Sequence, residues 1–336
     1  MAGFPVLYRL TNETVNNDPA KNNGSVIYGL DPVGNRLSSN STLNGINSGI
    51  FAYNADDELS TESYDAEGNT TNTGGKSLVF DSENHLISVN GGAIRYVYDG
   101  DGIRVAKIVN GVTTQYLVDD LNPTGYPQVV EELVGGSVQR TYAYGLQRIS
   151  QNQIIDNQWV TSYYGYDGAG NVRQLTNMSG AVTDTYDYDA FGNVISKSGA
   201  TPNNYLYRGE QFDPDLGMYY LRARYYNPMT GRFLSRDPED GNPRDPVSLH
   251  KYLYVGGDPV NAIDPHGREE EVEYVMFSTE IAVGTTHEVT VLAIGIAGVY
   301  CKIAGLLAWA TSHNWIGSPG SFDLPEPFRG YCAIFH

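Results

Sequence analysis

The segment Tyr166-Asp167-Gly168-Ala169-Gly170-Asn171-Val172 contains the pattern that decides the fold of this chain. An aromatic residue, or Leu in one copy, is followed by Asp or Asn, two or three small residues, Gly-Asn or Asn, and an apolar residue. Copies of this pattern begin at Leu30, Tyr53, Tyr64, Phe80, Tyr98, Tyr166 and Tyr188. Because recurrence of this kind marks a repeat architecture, each copy is expected to form the same structural unit.

Each copy predicts a strand, a turn and a second strand. Asp starts the turn by accepting hydrogen bonds from its own downstream backbone, and Gly-Asn takes the positive-φ positions. Between copies lie runs with β-branched and aromatic residues at every second position, such as 94–98 and 112–118. We therefore expect a mainly β, antiparallel fold, in which the aromatic residues that open the units are buried and stack as cross-strand pairs, including Tyr98, Tyr166 and Tyr188.

Composition narrows the functional classes. The chain has 336 residues, with 21 Lys and Arg against 39 Asp and Glu, a formal net charge of −18 that argues against nucleic acid as a partner. No cofactor or metal site is expected. His287-Glu288 lacks a second ligand one helical turn later, and Gly75-Lys76-Ser77 lacks the first glycine of a phosphate-binding loop.

The repeats, together with residues 207–267, resemble the YD repeats and the repeat-associated core domain of the Rhs family. The core motifs are Arg222-Ala223-Arg224-Tyr225-Tyr226, Ser235-Arg236-Asp237-Pro238 and Asn261-Ala262-Ile263-Asp264-Pro265-His266-Gly267. The resemblance covers about residues 20–267. This family includes bacterial polymorphic toxins, the C components of insecticidal toxin complexes, and teneurins.

The resemblance implies a β ribbon that spirals into a hollow shell, with the core domain curling inward as a plug. It divides the chain into a ribbon at 1–204, a core domain at 205–267, and a variable C-terminal extension at 268–336 that is a candidate effector. Closed shells of this family usually need several hundred more residues, so a partial wrap, or the C-terminal portion of a longer protein, is expected. Arg232 is expected to form a structural salt bridge within the plug.

The resemblance also implies a catalytic site. In family members with an active core domain, two aspartates and an arginine form an internal aspartyl protease that cuts the chain just after the motif Asp-Pro-x-Gly-Leu. The matching residues are Asp237, Asp264 and Arg224, and the cut falls at Gly267 and Arg268. Two close carboxylates cannot both ionise cheaply, so one would keep a proton as general acid while the other activates water.

One departure from the motif leaves two interpretations open. Arg268 stands where the family has Leu, and a guanidinium in an apolar pocket costs desolvation unless it is paired. The first interpretation is a self-cleaving site. In the second, Asp237-Pro238 and Asp264-Pro265 are only turn starters, since Asp before Pro commonly begins a turn.

The composition changes after Gly267. Three glutamates, Glu269 to Glu271, are followed by an apolar stretch from Val289 to Ala310, long enough as a helix of about 33 Å to cross a hydrocarbon core. Three interpretations remain: insertion into a target membrane, an inert tail packed inside the shell, and an enzymatic toxin of unknown type. A helix or a strand fits this stretch.

Two functions from different classes are consistent with these patterns. One is a self-cleaving Rhs carrier that shields its own C-terminal segment as cargo, with delivery machinery or an immunity protein as partners. The other is a non-catalytic structural or surface-interaction protein with an inert tail. The first nine residues lack a basic segment followed by an apolar run, so export from the cytoplasm to the cell surface or the medium is expected by a specialised route.

Overall fold

The computed structural model describes residues 9–18 and 21–268, and the backbone of residues 271–272. The predictions for the apolar stretch 289–310 and for the extension beyond residue 272 lie outside the described residues. None of the helical turns in the described part of the chain approaches the length or hydropathy that a bilayer-spanning helix requires.

The N-terminal sheet has four antiparallel strands that pair in chain order. Their bounds are β1 Asn12–Val15, β2 Gly24–Leu30, β3 Arg36–Ser41 and β4 Gly49–Ile50.

A second sheet of fourteen strands forms the ribbon, and each strand pairs antiparallel with its neighbours in sequence. The bounds are β5 Ser63–Tyr64, β6 Thr70–Thr73, β7 Lys76–Phe80, β8 Leu86–Val89, β9 Ile94–Tyr98, β10 Arg104–Val109, β11 Val112–Asp119, β12 Gln128–Val134, β13 Ser137–Tyr144, β14 Arg148–Ile155, β15 Gln158–Tyr166, β16 Val172–Thr176, β17 Val182–Tyr188 and β18 Val194–Ser198.

Two small sheets come after the ribbon. The core sheet contains β19 Gln211–Asp213, β20 Met218–Leu221, β21 Arg224–Asn227 and β22 Arg232–Phe233. A final pair joins β23 Ala262–Ile263 to β24 Glu271–Val272. Helix in the described residues consists of short 3-10 turns at Asn90–Gly92, Tyr207–Gly209, Pro246–Leu249 and Tyr254–Gly257. The expectation of a mainly antiparallel β fold is confirmed.

The repeated turn forms as predicted, with one correction. In the 167–171 copy, the Asp167 N–H donates to the Asn171 carbonyl, and Asp167 Oδ1 accepts the N–H groups of Ala169 and Asn171. Gly170 takes a positive φ of 75°. Asn171 does not; its side-chain amide instead donates to Asp167 Oδ2 at 2.9 Å. The second residue of the Gly-Asn pair therefore closes the turn by hydrogen bonding.

The aromatic residues that open the units are buried or half-buried, as expected. The predicted cross-strand aromatic pairing is seen only in part: Tyr98 stacks on His85, whereas Tyr166 stacks on Tyr164 of its own strand and Tyr188 meets Tyr207 of the core domain at an angle. Among the described residues, no ring contact joins Tyr98, Tyr166 and Tyr188 to one another. Each hydroxyl instead donates to the backbone carbonyl of the residue that opens a strand after a preceding turn. The acceptors are Leu86 for Tyr98, Arg148 for Tyr166 and Val172 for Tyr188, at 2.7–2.9 Å.

The core sheet lies between two stretches of the ribbon. Alternate side chains of β20 and β21 point to opposite faces, because the strand period is two residues. Met218, Tyr220 and Tyr225 pack against β7 to β9, while Tyr219 and Tyr226 pack against β16 and β17. Both strands are buried on both faces, so the ribbon wraps around the core sheet as the resemblance implies.

Two buried arginines of the ribbon bind this core. Arg104 donates to the Tyr225 hydroxyl at 2.6 Å and to Gln211, and its guanidinium lies 3.9 Å from the centre of the Tyr220 ring. Arg148 donates to the Gly209 carbonyl at 3.0 Å. Its guanidinium is also surrounded by the rings of Tyr142, Tyr144, Tyr164 and Tyr205.

The N-terminal sheet meets the far end of the ribbon. Val26, Tyr28 and Leu43 form a small core with Phe191, which belongs to the turn between β17 and β18. The Asn44 side chain also donates to the Ile195 carbonyl at 3.3 Å. These contacts bring together segments that are more than 140 residues apart in sequence.

Candidate functional site

Three chain segments converge beside the core sheet. Arg224 is the first residue of β21, Asp237 comes after β22, and Asp264 comes directly after β23. The Asp237 N–H donates to the Lys251 carbonyl at 2.8 Å, which returns the loop after β22 to the core. The structure thus brings together the three residues that the family motif identifies.

The Arg224 guanidinium contacts both carboxylates through one nitrogen. Its Nη2 lies 2.8 Å from Asp237 Oδ2 and 3.4 Å from Asp264 Oδ2. Because both oxygens contact the same nitrogen, Asp237 Oδ2 and Asp264 Oδ2 lie within about 6 Å of each other. The guanidinium also lies 3.7 Å from the centre of the Phe233 ring, so cation–π attraction fixes its plane.

The same arginine holds the segment that precedes the expected cut. Arg224 Nε donates to the Gly267 carbonyl, and the Arg268 N–H donates to Asp264 Oδ1 at 3.0 Å. Gly267 has a φ of 67°, and a Cβ atom there would lie 2.2 Å from the Leu221 carbonyl oxygen. No other residue fits this close approach, so glycine is required for the docked geometry.

The two aspartates are also turn starters, as the second interpretation expects. Asp237 Oδ1 accepts the Glu239 N–H at 3.0 Å, in the same way that Asp264 Oδ1 accepts from Arg268. In each residue Oδ1 serves the turn and Oδ2 faces Arg224. The two roles therefore use different oxygens and do not compete.

Burial separates the environments of the two carboxyl groups. The Asp264 side chain is 2% exposed, and this burial raises its pKa to about 6 although Arg224 opposes the shift. Burial also lowers the pKa of the Arg224 guanidinium. The Asp237 side chain is 18% exposed and lines an open cleft of about 520 Å³, whose rim includes the acidic residues Glu239, Asp240 and Asp245.

Two other predictions concern Arg232 and metal binding. Arg232 links the core to the N-terminal turns by donating to the Asn35 amide oxygen at 2.8 Å and to the Asp57 backbone carbonyl. Both acceptors are neutral, so the expected salt bridge to a carboxylate is not what holds Arg232. Within the described residues, no cluster of three His, Cys, Asp or Glu side chains is placed to hold a metal ion.

Some features of the site could not be found from the sequence. Lys251 contributes only its carbonyl, and the ring of Phe233 packs on Arg224 across β21 and β22. Neither residue type signals such a role, since carbonyls occur everywhere and the ring is part of an ordinary apolar pattern. The sequence motif identified the charged groups and left their supports unidentified.

Comparison with known proteins identifies relatives in bacteria and insects. A family model described as Teneurin YD-shell matches residues 14–260. The tRNA nuclease WapA of Bacillus subtilis strain 168 is 32% identical over 261 residues, which is 73% of this chain and 11% of that protein. The Salivary gland surface protein 1 of Aedes aegypti is 31% identical over 163 residues, covering 45% of this chain and 4% of the relative.

Solved structures show the same fold. The TcdB2-TccC3 complex without its hypervariable C-terminal region superposes with a TM-score of 0.58 at 20% identity, over 73% of this chain and 13% of that chain. The Tc holotoxin pore of Photorhabdus luminescens gives a TM-score of 0.59 at 20% identity, over 86% of this chain and 16% of the other. The chain spans about a tenth of the length of the WapA relatives. From the family match and the repeated turns, the chain belongs to the Rhs/YD-repeat family, as a YD-shell protein related to bacterial toxins.

Proposed function

We propose that this chain is the part of a YD-shell carrier that cuts itself after Arg268 and frees the segment 269–336 as cargo. The observation that carries the proposal is the Arg224 guanidinium, which contacts both carboxylates and the Gly267 carbonyl at once. A site that holds its own chain beside two carboxyl groups needs no external substrate. The division into ribbon (1–204), core domain (205–267) and effector extension (268–336) is part of this proposal.

The chemistry divides between the two aspartates. Asp237 is the more exposed of the two carboxyl groups that line the cleft, so it accepts a proton from the attacking water, whose oxygen bonds to the carbonyl carbon of Arg268. Asp264, whose pKa is raised, gives its proton to the nitrogen of Glu269 as the C–N bond breaks. Arg224 orients both groups and stabilises negative charge that develops on the carbonyl oxygen. The products are a carboxylate at Arg268 and an amine at Glu269.

The relatives suggest a role in toxicity or competition. The relatives named tRNA nucleases match this chain over 9% to 11% of their length, so the match does not show which cargo this chain carries. We propose a general role as a carrier exported by a specialised route, with delivery machinery and an immunity protein as partners. A non-catalytic structural role is the second candidate, supported by Oδ1 of both aspartates serving turns.

Intact-mass measurement tests the proposal. The wild-type chain of 36.8 kDa should convert to a fragment that ends at Arg268, because the site is assembled in the folded chain. Asp237→Asn and Asp264→Asn should each slow conversion by roughly 100-fold or more, since each removes one partner in proton transfer.

Asp240→Asn is the matched control, because Asp240 lies on the rim of the same cleft and is exposed. This variant should convert at the wild-type rate. Circular dichroism should show an unchanged fold in all three variants. A wild-type chain that stays intact over days at pH 5 to 7 would rule out self-cleavage and leave the structural role.

A further inference from the structure

A second cavity begins at Arg268. Arg268 lines both the cleft that holds the carboxylates and a separate cavity of about 210 Å³. His266 of the same motif also lines this second cavity. The remaining walls come from the ribbon and from the hairpin between β20 and β21, and they include the apolar residues Ile103, Val118, Pro127, Val129 and Ala223. The cavity therefore has a partly apolar and partly charged lining next to the residue at the expected cut.

The ribbon and the hairpin place the cations Arg104 and Arg222 and one acid, Asp101, around this cavity. Arg222 Nη1 lies 3.0 Å from both carboxylate oxygens of Glu210, and Arg104 is bound to Tyr225 and Gln211. Asp101 is exposed and lines the cavity, and within the described residues no cation lies in ion-pair contact with its carboxylate. One unpaired acid thus faces the cavity that Arg268 also lines.

The turn fixes the position of this acid. Asp101 is the third residue of the 99–103 copy of the repeat, and its N–H donates to Asp99 Oδ1 at 3.0 Å. The same bond holds Glu67 in the 65–69 copy, where Glu67 N–H donates to Asp65 Oδ1 at 3.1 Å. The backbone of Asp101 is therefore held in a turn of the ribbon.

We propose that the 210 Å³ cavity receives the side chain of residue 268 during cleavage, and that Asp101 pairs with the Arg268 guanidinium there. Asp101 is then the specificity-determining residue that makes arginine acceptable in a pocket whose other charged walls, Arg104 and Arg222, are cationic. The pairing offsets the desolvation that a lone guanidinium would suffer. This inference rests on the proposed self-cleavage, and it makes the ribbon part of the cleavage site.

A double-mutant cycle tests the pairing. Asp101→Asn should slow cleavage of the Arg268 chain about 3- to 5-fold, the effect of a partly exposed ion pair. Arg268→Leu should cleave faster than wild type, because leucine enters the cavity without losing charge solvation. In that background Asp101→Asn should change nothing. Equal effects of Asp101→Asn in both backgrounds, or none in either, would overturn the inference.

Glu67→Gln is the matched control, because it removes one negative charge at the same position of another turn. It should leave the cleavage rate unchanged. If it slows cleavage as much as Asp101→Asn does, the effect is one of net charge and the pairing is excluded.

A readout without self-cleavage separates this inference from the proposed function. Arg268 is exposed in the structure, so its side chain must move to enter the cavity. In the Asp237→Asn background, limited digestion with trypsin should then cut after Arg268 slowly, because a side chain held in the cavity is withheld from the protease. Adding Asp101→Asn should speed that cut several-fold, while Glu67→Gln should not. No protection of Arg268 would overturn the pocket assignment even if the wild-type chain cleaves itself.

Discussion

The Asp264 side chain closes its turn with one carboxylate oxygen and contacts Arg224 with the other. Its Oδ1 holds the Arg268 N–H and its Oδ2 faces Arg224, while burial keeps water away from both. In the proposed cleavage the carboxyl group would be both a structural anchor for the segment before the cut and a proton carrier beside it. This dual use explains why the turn and the charged cluster coincide.

Self-cleavage should depend on pH through Asp264. Its pKa of about 6 means that the carboxyl is protonated at pH 5 and largely ionised at pH 7. Because the proton is the one given to the leaving amine, the rate should fall up to about tenfold for each pH unit above 6. Mass spectrometry of the folded chain between pH 5 and 8 measures this profile. A rate that rises through that range would assign the opposite role to Asp264.

The charged residues of the site were predictable, and their setting was not. Asp237, Asp264 and Arg224 stand in recognisable motifs, so sequence was enough to name them. Arg224's bond to the Gly267 carbonyl depends on a docking between segments 43 residues apart, which no local pattern encodes.

At the level of the element, the repeated turn is a self-contained unit with one long-range bond. The Asp side chain, the positive-φ glycine and the asparagine amide complete the turn from five consecutive residues. The tyrosine hydroxyl then connects the unit to a strand 12 to 18 residues earlier. Hydrogen bonds within five residues thus form each turn, and the tyrosine hydroxyl ties each turn to an earlier strand.

Tyr188→Phe should lower the free energy of unfolding by about 1 kcal/mol, because it deletes the bond to the Val172 carbonyl and leaves that acceptor unpaired. Chemical denaturation measures the change. Tyr163→Phe is the control, since this residue is 39% exposed, and its effect should stay within a few tenths of a kcal/mol. Equal losses in both variants would show that the hydroxyl bond adds nothing.

The turns were predictable wherever their local signals were complete. Strand period and Asp-to-Gly spacing predicted most of the ribbon. The turn at 177–181 was missed, although Asn177 accepts the N–H groups of Ser179 and Ala181 as Asp does elsewhere. Thr176 stands where the aromatic residue is expected, and the segment Asn-Met-Ser-Gly-Ala lacks the Gly-Asn pair. The backbone therefore forms the repeated turn without the residues that identify it in the sequence.

At the level of the whole molecule, ribbon and core stabilise each other. The core sheet is buried on both faces by the ribbon, and the guanidinium groups of Arg104 and Arg148 each donate to residues of the core domain. A ribbon without its core would leave these cations without those acceptors. The sequence could not predict this dependence, because arginine in a strand is ordinarily an outward-facing residue.

Arg148→Ala should therefore destabilise ribbon and core together, by about 2 to 4 kcal/mol, since it removes a fully enclosed cation and its contacts with four rings. Far-UV and near-UV circular dichroism should report one common transition at lower denaturant concentration. Arg95→Ala on the exposed face of β9 is the control and should shift the midpoint little. Two separate transitions in the wild-type chain would contradict the mutual dependence.

The pairing of β23 with β24 affects the fate of the hydrolysed chain. β23 ends just before Asp264, and β24 begins at Glu271, three residues beyond Arg268, so the two strands lie on opposite sides of the expected cut. Breaking the covalent bond would leave this ladder in place. In the proposed cleavage, hydrolysis of the chain and release of the segment would then be separate events, because release also requires the two β23–β24 residue pairs to dissociate. A cleaved carrier would keep its C-terminal segment bound through β24 until these two residue pairs dissociate.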